Sequence, residues 1–219
     1  GIDLLLDEPG MLCGPKWILD AMRRDADMPK FTRSDGSVEG DLREKAIYDL
    51  YNIEHPFTGI QITEKGLDYL EQYVADARSV VGYEIPISID HFGHIGVNDC
   101  IKLLRRLEKY NIAWAEDLLP WQYLGQYRKI ASATAVPLCT GEDTYGKEAF
   151  REIIQSGAFS VVHPDILTSG GILETKKIGE IAEEHGVAMA IHNAESPIAF
   201  LAAVHVAAAS RSFLALEHH

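Results

Sequence analysis

The fold is decided by Ile85-Pro-Ile-Ser-Ile-Asp90, because its pattern returns in Ile112-Ala-Trp-Ala-Glu116 and in Val136-Pro-Leu-Cys-Thr-Gly-Glu142. Each run is short and apolar, and each ends in a carboxylate. The interval from one carboxylate to the next is 26 residues both times. A polar or Gly-containing break and then a helical pattern follow each run, which indicates one βα unit per carboxylate. The three acids are therefore expected at the same edge of a parallel sheet.

The alternation of strand and helix continues along the chain. Further apolar runs predict strands at 159–163, 187–191 and 213–216, which gives six βα-type strands from residue 85 onward. Helical patterns cover about 97–110, 121–134, 144–156, 170–185 and 197–209. Gly157 and Gly186 stand where glycines commonly end helices. Strands that alternate with helices of this length predict a parallel sheet with helices outside it.

The predicted fold is an α/β barrel of the TIM type that is incomplete in this chain. Residues 85–219 form the barrel units, and residues 1–84 form an irregular N-terminal part with an excursion over 9–58 and a helix near 66–81. A closed barrel takes about 250 residues, so the chain falls two strands short. Either 58–62 and the first residues are irregular strands, or the sequence is an internal piece of a longer protein. We favour the second explanation, because Gly1 is not Met and the chain stops as a strand ends.

The composition of the chain argues against several classes of binding partner. The 219 residues carry a formal charge of −13 and a pI near 5.1, which argues against binding to nucleic acid or to an anionic membrane. Cys13, Cys100 and Cys139 have no metal-like spacing, and we expect reduced thiols in the cytoplasm. No apolar run reaches the roughly 20 residues of a membrane span. The expected partner is therefore a small molecule.

The barrel model predicts an active site at the carboxyl ends of the strands. Three acids that converge on this rim, Asp90, Glu116 and Glu142, suggest a bound divalent cation. Asp165 and His192 close successive apolar runs 27 residues apart, so they are expected on neighbouring strands of the same rim. There a carboxylate can bind one imidazole nitrogen and leave the other free as a base.

These motifs resemble those of the enolase superfamily, in the branch that contains mandelate racemase, muconate-lactonizing enzyme and the acid-sugar dehydratases. The resemblance covers roughly residues 85–219. It is carried by Ser88-Ile-Asp90, Trp114-Ala-Glu116-Asp-Leu-Leu-Pro120, Gly141-Glu142-Asp-Thr-Tyr-Gly146, His163-Pro-Asp165 and Ile191-His192-Asn193.

The resemblance implies a role for each of these residues. Asp90, Glu116 and Glu142 would hold one Mg²⁺ ion, and Asp165 with His192 would form a general-base dyad. Glu217, on the last strand, would hydrogen-bond the substrate carboxylate. The family also implies self-association and a capping domain, which is not evident in this chain. Leu216-Glu-His-His219 is also how a vector-encoded polyhistidine tag begins, so the origin of these residues stays open.

The chain departs from the family pattern at the second strand, where many relatives carry Lys-x-Lys. Lys65 is the only lysine near a plausible end of that strand, and we expect the strand to lie upstream of Gly1. Without a second base, dehydration by His192 with a general acid is favoured over racemisation. Dehydratases often place a histidine just past the first metal ligand, and His91 and His94 are both candidates here, with His94 ranked first.

The sequence thus predicts a Mg²⁺-dependent lyase that removes the α-proton of a hydroxycarboxylate, expected to be a sugar acid, and then expels the β-hydroxyl. A racemase or epimerase on the same scaffold is the alternative enzyme. A non-catalytic metal-binding relative is the alternative outside catalysis. A phosphate-binding barrel enzyme is disfavoured, because no Gly-rich loop follows the last two strands. The identity of the acid is not readable from the sequence.

Overall fold

A computed structural model of the chain describes residues 2–3, 12–13, 61–90, 95–194 and 196–218. The strands are β1 Ile2–Asp3, β2 Leu12–Cys13, β3 Gln61–Ile62, β4 Ile87–Asp90, β5 Ile112–Glu116, β6 Leu138–Thr140, β7 Val161–Val162, β8 Ala188–Ile191 and β9 Phe213–Leu216. The α-helices are α1 Glu64–Val81, α2 Val97–Leu107, α3 Leu124–Ala131, α4 Gly146–Gln155, α5 Ile172–Glu184 and α6 Pro197–Ala208. A short 3₁₀ helix, Glu108–Tyr110, follows α2.

Seven strands form one parallel sheet in the order β1-β4-β5-β6-β7-β8-β9. From β4 onward the spatial order follows the chain, and a helix connects each strand to the next. This is the connectivity of a (β/α) barrel, so the predicted fold class is confirmed for the described part of the chain. The six predicted strands from residue 85 onward are all present, and their helices lie within the predicted ranges.

The structure agrees with one half of the alternative that assigned barrel strands to the first residues and to 58–62. Ile2–Asp3 joins the main sheet beside β4, with Asp3 in register with Asp90, although two residues carry no strand pattern in the sequence. Gln61–Ile62 does not join it, and instead pairs antiparallel with Leu12–Cys13 in a separate two-stranded sheet. Lys65 lies exposed in the first turn of α1, so it does not end a barrel strand. The division at residues 84 and 85 stays a prediction.

Apolar side chains from the strands pack on both faces of the sheet. Toward the helices, buried residues such as Ile89, Leu138, Val162 and Met189 belong to the large core cluster. Toward the interior, a second cluster of smaller side chains includes Cys139, Val161 and Ala190, with Trp114 packed against it. Burial on both faces explains why the strand sequences are apolar and do not alternate cleanly with polar residues.

The sequence of α1 has a capping residue at its start, an apolar face along its length and a glycine at its end. Thr63 caps its N-terminus by accepting a hydrogen bond from the Gly66 amide at 3.1 Å. Leu67, Leu70 and Val74 recur at spacings of three and four residues and are fully buried. The helix ends at Gly82, whose φ of 70° is in the left-handed region that glycine tolerates.

In the described ranges no helix has both the length and the apolar character that a bilayer crossing requires.

Arg78 ties α1 to the opposite end of the sheet from the predicted site. Its side chain is buried, with a residue exposure of 3%. The guanidinium donates to four backbone carbonyls, those of Gly82 at 2.8 Å, Ile85 at 2.7 Å, Tyr110 at 3.0 Å and Asn111 at 3.1 Å. Three of these carbonyls, those of Ile85, Tyr110 and Asn111, lie shortly before β4 or β5. One buried cation therefore fixes the backbone where these two strands begin.

We expect Arg78→Ala to lower the free energy of unfolding by about 3 kcal/mol or more, because four carbonyls lose a charged donor inside the protein. Arg78→Lys should lie between the wild type and Arg78→Ala, since an ammonium has only three donors. Urea unfolding followed by circular dichroism measures the change. The control is Arg105→Ala, which removes an exposed arginine that donates to one carbonyl, Ala133. Equal stability of Arg78→Ala and Arg105→Ala would contradict this role.

Candidate active site

The register of the sheet brings the predicted residues to its carboxyl end. Asp90 is the direct partner of Glu116 between β4 and β5. On β6, the partner of Glu116 is Cys139, so Glu142 lies three residues beyond this point, in the loop that follows the strand. Asp165 and His192 form an isolated parallel bridge beyond the ends of β7 and β8. The predicted rim is thus present, with one residue or pair contributed by each successive strand.

Three carboxylates bring their oxygens within 4.8 Å of one another, and they are Glu116, Asp117 and Glu142. We call these three the carboxylate group. Two of them were predicted metal ligands, whereas Asp117 was not predicted to take part. Asp90 is near the group, since its negative charge raises the pKa of Asp117. Its role as a ligand stays a prediction, and the structure offers Asp117 as a further candidate for the same role.

Asp117 reaches the group because its backbone turns. Its φ of 44° is in the left-handed region, which is uncommon for a residue other than glycine. Thr140 Oγ1 donates to Asp117 Oδ1 at 2.6 Å and so holds the carboxylate toward β6. Strand alternation would have placed the side chain of a residue adjacent to Glu116 on the other face. Sequence reasoning missed Asp117 for this reason, because the turn has no signal in the residue pattern.

Burial and mutual repulsion raise the pKa values of two members of the carboxylate group. Burial raises the pKa of Asp117 well above its usual range, and the charges of Glu116, Glu142 and Asp90 raise it further. Burial also raises the pKa of Glu142, and the charge of Glu116 adds to this effect, while His192 acts in the opposite direction. Burial and mutual repulsion both disfavour the ionised carboxylates. A bound cation would offset both effects, so the raised pKa values are consistent with a cation site.

The structure brings Asp165 and His192 together, and their predicted role as a base dyad stays a prediction. His192 Nδ1 lies 2.7 Å from Asp165 Oδ2, and Asp165 itself is buried. The other oxygen of Asp165 accepts a hydrogen bond from the Leu167 amide at 2.6 Å, so the carboxylate is held at both oxygens. This arrangement places the proton of neutral His192 on Nδ1 and leaves the lone pair on Nε2. Nε2 faces Glu142 Oε2 at 3.2 Å and Glu217 Oε2 at 3.5 Å.

Glu217 lies where the sequence predicted it. Its amide donates to the Ile191 carbonyl at 3.0 Å, which continues the pairing of β9 with β8 past the end of the strand. Its side chain is about one third exposed. Oε2 accepts from the Asn193 amide at 3.2 Å. The carboxylate therefore stands at the edge of the site next to the dyad.

His163 lies in the middle of these groups. The sequence predicts a structural role for it, at a position close enough to the rim to touch a ligand. Nδ1 lies 2.9 Å from the Ala190 carbonyl, while Nε2 lies 3.1 Å from Glu116 Oε1 and 3.7 Å from Glu217 Oε2. Burial alone would lower the pKa of His163. The hydrogen bond to Glu217 and the charge of Glu116 outweigh it and raise the pKa to about 9. His163 therefore carries a positive charge beside the carboxylate group at neutral pH when no cation is bound.

The signal for His163 was present in the sequence. Residues 163 and 165 are two positions apart in an extended segment, so their side chains share a face of the sheet. The imidazole ring of His163 also lies 5.3 Å from that of His192, edge to face. A histidine two residues before a predicted dyad acid at a strand end should therefore have been placed in the site.

Two further contacts fix the loop that carries Glu142. Gly141 has a φ of 146°, and a Cβ there would lie 2.8 Å from Phe150 Cε1 and 3.0 Å from the His163 amide nitrogen. Thr168 Oγ1 donates to the Glu142 carbonyl at 2.8 Å. The loop after β6 is therefore held against the end of β7. The predicted acid candidates His91 and His94 lie outside the described residues and stay predictions.

The amino-acid sequence of the chain is similar to those of known enzymes. The family model described as "Enolase C-terminal domain-like" matches residues 46–219. The chain is 29% identical over 201 residues to D-xylonate dehydratase of Haloferax volcanii, covering 91% of this chain and 43% of that protein. It is 30% identical over 148 residues to D-galactonate dehydratase of Ralstonia pickettii, covering 68% of this chain and 39% of that protein. The chain spans about two fifths of the length of these curated relatives.

Solved structures show the same similarity. A mandelate racemase/muconate lactonizing enzyme-like protein from Rubrobacter xylanophilus matches with a TM-score of 0.70 at 33% identity, over 72% of this chain and 40% of that one. The 3,6-anhydro-D-galactonate cycloisomerase from Zobellia galactanivorans matches with a TM-score of 0.66 at 28% identity, over 69% of this chain and 43% of that one. The chain belongs to the enolase superfamily, in its mandelate racemase and muconate-lactonizing enzyme branch.

Proposed function

We propose that this chain carries the catalytic residues of a Mg²⁺-dependent acid-sugar dehydratase. The observation that supports it best is the orientation of His192, whose Nδ1 is held by Asp165 while Nε2 faces Glu142 and Glu217. His192 thus faces the side chains that would hold the cation. A base in this position can remove the proton next to a substrate carboxylate that binds there. The relatives named as dehydratases of D-xylonate and D-galactonate support a sugar acid as the substrate.

The donor set fits a hard cation such as Mg²⁺. Glu116 and Glu142 would hold it, together with Asp90 or Asp117. Mg²⁺ prefers carboxylate oxygens and keeps positions open for other oxygen ligands. The raised pKa values of Asp117 and Glu142 come from burial and mutual repulsion, which a bound cation would offset. When bound, the cation would stabilise the negative charge that develops on the substrate carboxylate as the α-proton leaves.

His192 takes the α-proton in the proposed reaction. The electron pair of the C–H bond moves into the substrate to give an enediolate, and the proton goes to Nε2. The imidazolium that results is stabilised by Asp165, which keeps its own negative charge and holds the ring in place. Asp165 is therefore the residue that makes His192 both oriented and basic.

Loss of the β-hydroxyl completes the proposed reaction. The enediolate expels the hydroxyl, which leaves as water after it receives a proton from His91 or His94. The enol that forms then tautomerises to a 2-keto-3-deoxy acid. Glu217 would hydrogen-bond the substrate carboxylate, and His163 Nε2, 3.7 Å from Glu217 Oε2, lies beside that contact.

Cation binding tests the carboxylate group directly. We expect Glu116→Gln and Glu142→Gln each to weaken Mg²⁺ binding by about tenfold or more in isothermal titration calorimetry, since each removes a charged ligand. Glu142→Gln should also raise the melting temperature of the cation-free protein, because burial and the charge of Glu116 disfavour the ionised Glu142 carboxylate. A simple folding defect would lower it. Asp90→Asn and Asp117→Asn then decide which aspartate is the third ligand.

The matched control for these variants is Glu152→Gln, which removes an exposed carboxylate from α4. It should change neither the Mg²⁺ affinity nor the melting temperature. Wild-type affinity in both Glu116→Gln and Glu142→Gln would show that the cation is bound elsewhere or not at all.

Turnover of a panel of aldonates by the full gene product tests the base. His192→Asn should lower kcat by about 10²-fold or more, because it removes the proton acceptor while it keeps a similar shape. The measurement is formation of the 2-keto-3-deoxy product, detected with semicarbazide. His205→Asn, which changes an exposed histidine on α6, is the control. Undiminished kcat in His192→Asn would remove His192 from the mechanism.

Turnover in D₂O separates dehydration from racemisation or epimerisation, which the same scaffold could support. A dehydratase should release one water per turnover and form the keto acid. An isomerase would return deuterated stereoisomer of the same composition, with no loss of water. Mass spectrometry together with proton NMR distinguishes the two products, and the second result would contradict the proposed dehydration.

A further inference from the structure

Three side chains of different chemistry meet beside the carboxylate group. Glu116, Cys139 and His163 bring one oxygen, the sulfur and one nitrogen within 4.8 Å of one another. All three residues are buried. Cys139 is the register partner of Glu116 on β6, and His163 lies just past the end of β7. Three adjacent strands thus supply an O, S and N donor set, and its sulfur ligand, Cys139, has no part in the proposed dehydration.

Neighbouring contacts orient two of these donors. The Ala190 carbonyl lies 2.9 Å from His163 Nδ1, which leaves Nε2 as the ligand atom. A carbonyl or carboxylate on the second ring nitrogen is the usual partner of a metal-bound histidine. Trp114 Nε1 donates to Glu116 Oε2 at 3.0 Å, which directs Oε1 toward His163. His163 Nε2 and Glu116 Oε1 therefore face the same position.

The spacing suits a small tetrahedral ion. Nε2 and Oε1 are 3.1 Å apart, whereas two ligands with bonds of about 2.0–2.1 Å to a tetrahedral Zn²⁺ lie about 3.3 Å apart. The sulfur lies within 4.8 Å of both and needs a shift of about 1 Å to complete the triangle. Glu217 Oε2, at 3.7 Å from Nε2, is close enough to supply a fourth ligand.

We propose that Glu116, Cys139 and His163 form a second cation site, selective for thiophilic divalent ions such as Zn²⁺, Cd²⁺ and Co²⁺. A thiolate and an imidazole favour these ions over Mg²⁺, which prefers oxygen. Binding displaces one proton from the Cys139 thiol and one from His163, and both protons leave to solvent. Because Glu116 belongs to both sites, a thiophilic ion in this site removes a ligand from the carboxylate group.

Co²⁺ is the probe, because its spectrum reports both thiolate ligation and tetrahedral geometry. The experiment uses cation-free protein in a Cys13→Ala background, which removes an exposed thiol. We expect a thiolate-to-cobalt charge-transfer band in the near ultraviolet and strong visible bands, both lost on addition of Zn²⁺. The charge-transfer band reports sulfur alone, so cobalt bound by surface histidines does not produce it.

Matched variants assign the ligands. Cys139→Ser should abolish the charge-transfer band and weaken Zn²⁺ binding by about tenfold or more. Cys100→Ala, which removes another buried thiol, should leave the band unchanged. Glu142→Gln should also retain it while Mg²⁺ binding is weakened, so this site can fail or succeed independently of the proposed function.

Two results would overturn the assignment. The first is the absence of a charge-transfer band when Co²⁺ is added to the Cys13→Ala protein. The second is a band that persists in Cys139→Ser or disappears in Cys100→Ala, since either would place the sulfur ligand elsewhere.

Discussion

The concentration of negative charge at one end of the sheet is the constraint on which the site depends. Glu116, Asp117 and Glu142 face one another within 4.8 Å, with Asp90 nearby. The groups that pair with Glu116 and Glu142 are the imidazoles of His163 and His192. An imidazole can give up its proton near neutral pH, which Lys and Arg cannot do easily. His192, the imidazole that lies against Glu142, is the one proposed as the base.

The register of the parallel strands determines which of these polar side chains meet. Parallel pairing aligns Asp90 with Glu116 and Asp165 with His192, so each pair meets although its members are 26 or 27 residues apart. A slip of one residue would exchange the two faces of a strand. Buried side chains such as Ile89 and Val162 oppose such a slip, because it would move them away from the helices and toward the barrel interior. Apolar packing on the helix side thus fixes the positions of polar groups at the rim.

The recurring interval of strand-end acids was sufficient to predict the sheet and its helices. The matching interval from Asp165 to His192 predicted that these side chains lie together, and their role as base and partner stays a prediction. The parts that escaped prediction depend on local backbone geometry or on long-range pairing. Asp117 enters the site through a left-handed φ, and the residue pattern does not encode this. The pairing of Ile2–Asp3 with β4 joins segments far apart in the chain, so the sequence left it as one of two alternatives. His163 was close enough to the predicted rim to touch a ligand, and strand alternation with Asp165 would have assigned it to the site.

Gly141 links two parts of the site that are more than twenty residues apart in sequence. Its backbone lies so close to His163 that a side chain at this position would meet the start of the β7 loop. The loop bearing Glu142 and the segment bearing His163 therefore have little freedom to move separately. Substitutions in these two segments should consequently show non-additive effects when they are combined. Efforts to alter substrate range would need to vary both segments in the same library, since changes selected in one segment depend on the sequence of the other.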